Sequence, residues 1–234
     1  MANTQNPNLE ILELAIHRLG ELADDLVFVG GCATGLLLTD PAAAPVRATY
    51  DVDAIAQVLS RAEYYQFAEK LKGKGFREDA EEGAPMCRWR HENVILDVMP
   101  IDPNILGFGS DWYQEAQENA VKFALPSGNT IFLITSSFFL ITKLDAFNGR
   151  GKGDYMQSHD IEDIVTVLDG RPELLDELEK AEPKVKQELA SRFEALRQNT
   201  KFIDAVAGHL APDAASQARL PRIIGRIEAI SKLS

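Results

Sequence analysis

Asp51 and Asp53, in Thr49-Tyr50-Asp51-Val52-Asp53, are two residues apart, and that spacing sets what they can do. On a strand such residues project from one face, so the two carboxylates stand side by side. Like charges that close repel unless something positive lies between them, and magnesium prefers hard oxygen ligands. The plain alternative is a solvated acidic edge strand. Val52, Ala54, Ile55 and Ala56 speak instead for a strand buried on at least one side. A third carboxylate, Asp97, is alone in Val94-Ile95-Leu96-Asp97-Val98-Met99-Pro100, and an unpartnered buried charge is costly. If the two strands are neighbours, Asp97 joins the pair. Three carboxylates can then hold two magnesium ions, one activating an attacking hydroxyl and one gripping a triphosphate.

A glycine pair supplies the other half of such a site. Val29-Gly30-Gly31-Cys32-Ala33-Thr34-Gly35 follows the apolar run Leu26-Val27-Phe28-Val29, and reads as a strand turning directly into a helix. Glycine lets the backbone approach a phosphate closely, and the free amides of a helix start point at it. A tight turn and nothing more is the competing explanation. Cys32 follows the turn, but no histidine lies near it in sequence to act as base, which argues against a catalytic thiol. Trp89 and Trp112, with Tyr113, read as core residues before cleft residues. His17, His91, His159 and His209 are scattered, form no ligand cluster and are expected at the surface.

The elements that must position these residues can be read from hydrophobic period and turn signals. Residues 8–23 carry leucines and Ile16 in a helical rhythm. Strands are expected over 26–29 and 50–58, and helices over 32–38 and 63–74, the last closed by Gly75. Residues 41–45 form a small-residue loop with two prolines. Residues 86–92 and 94–101 read as a hairpin around His91-Glu92-Asn93, and 121–125 with 130–134 as a second across Pro126-Ser127-Gly128-Asn129. Beyond Ser136 only helices are expected, over 137–148, 159–168, 173–180, 183–209 and 214–232, with Ser158 as an N-cap. The fold class is therefore α+β, a mixed sheet with helices followed by an all-helical region. Residues 1–135 are expected to form a catalytic core and 136–234 a helical domain that contributes to the nucleotide site.

The 234 residues are 45% hydrophobic and 26% charged, as in an ordinary globular chain able to bury a sizeable core. No apolar run is long enough for a bilayer and no charged leader opens the chain, so a cytoplasmic protein without membrane contact is expected. Two cysteines, Cys32 and Cys87, form no disulfide framework and match no zinc spacing. A formal charge of −12 opposes indiscriminate binding to nucleic acid. Residues 1–170 carry 26 acids against 13 bases, whereas 171–234 carry 10 against 11. The acidity sits where divalent metal could offset it. Only the near-neutral tail, with Arg192, Arg197, Lys201, Arg219, Arg222 and Arg226, offers an anionic partner such as RNA little general repulsion.

Taken together, the glycine turn, the carboxylate pair and the lone strand aspartate resemble the nucleotidyltransferase superfamily with its polymerase-β-like catalytic fold. More narrowly they resemble the AbiEii/MenT group, many of whose members are toxins of toxin–antitoxin pairs. Gly30-Gly31 matches the group's opening turn, and Arg47, Thr49, Asp51 and Asp53 match its Asp-x-Asp with preceding Arg and Thr. Asp97 matches the third strand aspartate, and Lys143 a helical lysine. Arg150, Lys152 and Asp160-Ile161-Glu162-Asp163 match a basic stretch and an Asp-x-x-Asp. The likeness covers roughly residues 26–170. It implies transfer of NMP from an NTP to an acceptor hydroxyl, two magnesium ions, and a role for Lys143, Arg150, Asp160 and Asp163 in holding nucleotide. It implies tRNA as acceptor and a cognate antitoxin as partner. An ammonium at Lys143 suits a β- or γ-phosphate, and an exposed lysine beside Asp145 is the alternative. Asp160 and Asp163 share a helix face. They can orient Lys143 or the nucleotide, or serve only as capping and solvated residues. Arg150-Gly151-Lys152-Gly153 is either a loop closing on phosphates or a solvated linker. The same site with an aminoglycoside-like small molecule or a protein as acceptor, and a nucleotide-binding module without turnover, are the rival readings.

Overall fold

Leu26–Val29, four apolar residues in succession, forms strand β1, and all four are buried. A run without alternation marks a strand covered on both faces. The computed structural model describes residues 6–234. Ahead of β1, α1 spans Leu9–Leu19 and ends at Gly20, whose φ of 58° a side chain would resist. The residues to Asp25 follow as a 3-10 turn, where the sequence suggests a longer α-helix. Helix α2, Gly30–Leu37, starts at the first glycine of the pair.

The remaining strands are β2 (Asp51–Ala56), β3 (Arg77–Glu78), β4 (Arg88–His91), β5 (Val94–Pro100), β6 (Val121–Ala124) and β7 (Thr130–Leu133). They form one seven-stranded sheet in the order β3-β4-β5-β2-β1-β7-β6. β2 runs antiparallel to β1 and parallel to β5, and β1 runs parallel to β7. The sheet is therefore mixed. Both expected hairpins are present, β4 with β5 and β6 with β7. Helix α3, Arg61–Gly73, is capped by Ser60, whose hydroxyl accepts from the Glu63 amide. The two-residue β3 and the helix α4, Tyr113–Glu118, carry too little periodicity to announce themselves in the sequence.

Beyond the sheet come α5 (Ser136–Arg150), α6 (His159–Gly170), α7 (Leu174–Glu179), α8 (Pro183–Gln198), α9 (Thr200–Gly208), α10 (Ala214–Gln217) and α11 (Leu220–Ile230). Two expected long helices are each broken. The 183–209 helix parts at Asn199, whose extended backbone (φ −92°, ψ 107°) ends α8 while its side chain accepts from the Lys201 amide to start α9. The 214–232 helix parts after Gln217, and Pro221 lies at the start of α11, where its missing N–H costs nothing.

The chain divides into two units. The first comprises residues through Leu36 together with Arg47–Thr135; the second comprises Leu37–Val46 with Ser136–Ser234. The first is the mixed sheet with α1, α3, α4 and all but the last residue of α2, its core built on residues such as Phe28, Ile55, Leu71, Trp89 and Leu96. The second is helical, around Phe139, Leu168, Leu189, Phe193, Phe202 and Ile227. The 37–46 segment is tied into the second by amides of Thr39 and Asp40, which both donate to Gly170 O at 3.0 Å.

Candidate active site

Strand register brings the acidic residues of the first unit into a row. β2 and β5 lie side by side in parallel with Asp53 opposite Asp97, and β4 lies antiparallel to β5 with Arg88 opposite Asp97. Asp53 is in turn opposite Val29 on β1, one residue before the glycine pair. Opposed residues share a face, and so do residues two apart, so Asp51, Asp53, Asp97 and Arg88 all project from one side of the sheet. Asp51 and Asp53 are half-buried, whereas Asp97 is buried at 6% exposure.

Arg88 ties the row together. Its Nε donates to Asp97 Oδ1 at 2.8 Å, and its Nη2 donates to Asp97 Oδ2 at 2.7 Å and to Asp51 Oδ2 at 2.8 Å. This fork on Asp97 is the strong, directional form of an arginine–carboxylate pair. It pushes the guanidinium pKa above its usual range, against the opposing effect of burial. The other Asp51 oxygen accepts from Thr49 Oγ1 at 2.7 Å. The Cys32 thiol donates to the Asp51 carbonyl at 3.3 Å, a positioning contact for a residue buried at 1% exposure. Burial pushes the other thiol, Cys87, up to about 12, so neither cysteine is placed as a nucleophile.

The glycine pair abuts this row. Gly30 has φ +66°, and a Cβ there would fall 1.9 Å from Asp53 Oδ2. At Gly31 a Cβ would lie 3.2 Å from Arg47 Nη2 and 3.3 Å from Thr49 Oγ1. Asn8, buried at 1% exposure, fastens the turn to the segment leading into β2: its Nδ2 donates to Arg47 O at 3.0 Å and Gly31 O at 3.4 Å, and its Oδ1 accepts from the Thr49 amide at 2.9 Å. Seven of the candidate residues, Gly30, Gly31, Arg47, Thr49, Asp51, Asp53 and Asp97, therefore form one neighbourhood.

Among the described residues, no three His, Cys, Asp or Glu side chains are grouped to hold a metal ion together. The donor chemistry nevertheless fits a hard cation. Asp51 and Asp97 already converge on one positive nitrogen, and their oxygens are of the kind magnesium takes. Asp51, Asp53 and Asp97 are the residues that would hold such an ion, and Arg88 now holds oxygens of two of them.

The other four candidates lie in the second unit and form a cluster of their own. Lys143 is buried at 6% exposure, not an exposed helix lysine, because Asp160 and Asp163 on the facing side of α6 receive its ammonium. Nζ donates to Asp163 Oδ2 at 2.6 Å and to Asp160 Oδ1 at 3.2 Å. Arg150 closes on Asp160 with Nε at 2.9 Å and Nη2 at 2.7 Å. Two cations meet two carboxylates, so the cluster is charge-balanced. Asp160 and Asp163 are thus buried ion-pair partners and not solvated helix residues.

No protein-family model matches the chain. No curated protein matches it either. Solved structures do match. One is the crystal structure of JHP933 from Helicobacter pylori, 11% identical over 96% of this chain and 92% of that one, with a TM-score of 0.48. Another is a Helicobacter pylori protein described provisionally as a nucleotidyltransferase, 11% identical over 96% of this chain and 95% of that one, with a TM-score of 0.44.

Arg88 and Asn8 are the site residues that sequence reading passes over. For Arg88 a signal exists: counting back from the Glu92-Asn93 turn puts it directly opposite Asp97, the carboxylate in need of a partner. For Asn8 no local pattern does the same. The tail is also less available than its composition suggests. Arg192 pairs with Asp145 and Glu188, Arg197 with Glu194, and Arg219 and Arg222 with Asp169 and Asp40. Arg226, buried at 8% exposure, donates to the carbonyls of Leu168, Asp169 and Pro172. Five of the six tail bases expected to face an anion thus have partners within the second unit, Arg197 on its own helix and the other four across elements. His17 and His159 are exposed as expected. His91 and His209 are half-buried, the former edge-on to Phe76 and the latter bonded to Tyr155 O at 2.7 Å. Trp89 and Trp112 are core residues. No helix among the described residues is long and apolar enough to cross a membrane.

Proposed function

We propose that the chain is a magnesium-dependent nucleotidyltransferase of the polymerase-β-like superfamily and the AbiEii/MenT group. It moves NMP from an NTP to an acceptor hydroxyl and releases pyrophosphate. The observation that supports this most is the in-register row of Asp53 and Asp97, with Asp51 one pleat away and the Gly30-Gly31 turn beside it. Bound magnesium would supply positive charge for the triphosphate and ease ionisation of the acceptor hydroxyl. Asp51 and Asp53 would hold it. Asp97 would complete the set, as a ligand or as the group that takes the acceptor's proton. In the transfer the acceptor oxygen bonds to the α-phosphorus as the bond to the bridging oxygen breaks, and pyrophosphate carries the electron pair away. Gly31, Arg47 and Thr49 border the turn where phosphate oxygens would lie. The nucleotide contacts that the family likeness gives Lys143, Arg150, Asp160 and Asp163 belong to the same proposal, as does a cytoplasmic toxin with a cognate antitoxin.

The test is incubation with magnesium, each labelled NTP and total cellular RNA. Asp51→Asn and Asp53→Asn should each abolish label transfer while leaving circular dichroism unchanged, and transfer by either folded variant removes the assignment. Tight NTP binding by the wild-type chain without pyrophosphate release would instead mark a binding module.

The resemblance points to tRNA as acceptor. The internal pairing of the tail arginines and the −12 charge favour a second reading, in which the same site serves a small cationic acceptor of aminoglycoside type. RNA binding that weakens steeply between low and moderate salt would support the first, and salt-indifferent transfer to an aminoglycoside the second.

A further inference from the structure

Arg88 holds oxygens of two of the three carboxylates that the proposed function gives to a cation, Asp51 and Asp97. It is held there by the sheet, not by a loose loop: β4 pairs antiparallel with β5, so Arg88 is fixed opposite Asp97, and its Nη2 lies 2.7 Å from Asp97 Oδ2 and 2.8 Å from Asp51 Oδ2. The same nitrogen therefore bridges two of the three carboxylates. An ion ligated by Asp51 and Asp97 together would need that volume and those oxygen lone pairs. Guanidinium and ion cannot both have them. Three carboxylates on one sheet face also need positive charge when no metal is bound, most of all Asp97, which is buried. The Arg88 side chain retains 21% exposure, so unlike Asp97 it has solvent to move into.

We propose that Arg88 is the built-in counter-ion of the metal-free site, that a divalent cation must displace it from Asp51 and Asp97, and that it thereby sets the divalent-ion affinity of the protein. This rests on the magnesium site given under Proposed function. Arg88 is then a positioning residue: without metal it keeps the carboxylates folded in place, and it makes metal binding an exchange of one cation for another. The site fills only when the incoming ion, with whatever anionic ligand it brings, outcompetes three charge-assisted hydrogen bonds. An arginine that merely braces the ligands predicts the reverse, because removing a brace loosens them and weakens binding.

The experiment is direct titration with Mn2+, followed by electron paramagnetic resonance of the free ion, on the full chain and on Arg88→Gln and Arg88→Lys, alongside thermal melts in EDTA and in Mn2+. Arg88→Gln should bind Mn2+ at least about tenfold more tightly than wild type, the worth of one charge-assisted hydrogen bond no longer competing. It should melt lower than wild type in EDTA and gain more from Mn2+. Arg88→Lys keeps the charge but loses the fork, and should fall between the two. It also serves as the readable variant if Arg88→Gln does not fold. Wild-type binding with no tightening in the variants, or with weakening, overturns the counter-ion role and leaves the metal site standing. No Mn2+ bound by wild type or either variant overturns the metal site itself, and this proposal with it.

Discussion

Gly30 and Asp53 compete for one space: a Cβ on Gly30 would lie 1.9 Å from Asp53 Oδ2 and 2.5 Å from its Cγ. The glycine is needed twice over, because its φ of +66° also disfavours any side chain. Gly30→Ala should therefore cost about 1–3 kcal/mol in urea unfolding, and should displace Asp53 from the sheet face, with loss of nucleotidyl transfer. Gly31→Ala is the matched control. Its φ is not positive, and its nearest contacts, 3.2–3.3 Å from Arg47 and Thr49, are with side chains that can give. An equal cost at the two positions would show that neither the Asp53 contact nor the positive φ sets the first glycine apart.

How far the sequence carries this site depends on which interactions are local. That Asp51 and Asp53 share a face follows from the two-residue period of a strand, and the β4–β5 hairpin follows from its turn, but the opposition of Arg88 to Asp97 depends on that turn being Glu92-Asn93 alone, one residue shorter than His91-Glu92-Asn93. That β2 lies between β1 and β5 is not local, because α3, β3 and β4 all come between β2 and β5 along the chain. The Asn8 staple is invisible for the same reason, since its partners Arg47 and Thr49 are some forty residues away. The tail misleads in the opposite direction. Arg192, Arg219 and Arg222 read as a basic surface because their partners Asp40, Asp145 and Asp169 lie far off in sequence. The break at Asn199 is a case where a cap residue outweighs continuous helical periodicity on either side.

Lys143 is the charge whose removal should hurt stability most. Its ammonium is buried between Asp163 at 2.6 Å and Asp160 at 3.2 Å, and Arg150 pairs with Asp160 as well. Lys143→Met strands buried negative charge, and breaking such a pair typically costs about 3–5 kcal/mol. Asp163→Asn in the same chain should recover part of that loss, since the carboxylate left behind is then neutral. Urea midpoints of the two single variants and the double variant form a cycle that reads the coupling directly. Strict additivity of the two single costs would show that the pair is not coupled.

The same cluster dictates how stability responds to acid. Burial alone would raise the Asp160 pKa, but the Arg150 hydrogen bonds and the Lys143 charge outweigh it and hold the carboxyl below its ordinary value of 3.8. Elsewhere in the helical unit, Glu177 is held below 4.5 by Arg171 and Ser136 against the effect of burial, and Asp40 below 3.8 by the Ala42 amide and Arg219. A carboxylate whose folded pKa lies below its unfolded one binds fewer protons in the native state. Its contribution is therefore complete above the unfolded value and disappears as pH falls through the folded one. Because all three shifts are downward, these groups should leave stability nearly flat above about pH 5 and lower it steadily below about pH 4. Asp160→Asn should be less stable than wild type at neutral pH, and the gap between the two should narrow as wild-type Asp160 takes up its proton. Urea unfolding of both proteins from pH 7 to pH 3 measures that gap, and a gap that stays constant or widens toward acid would mean that Asp160 is not held ionised by Arg150 and Lys143.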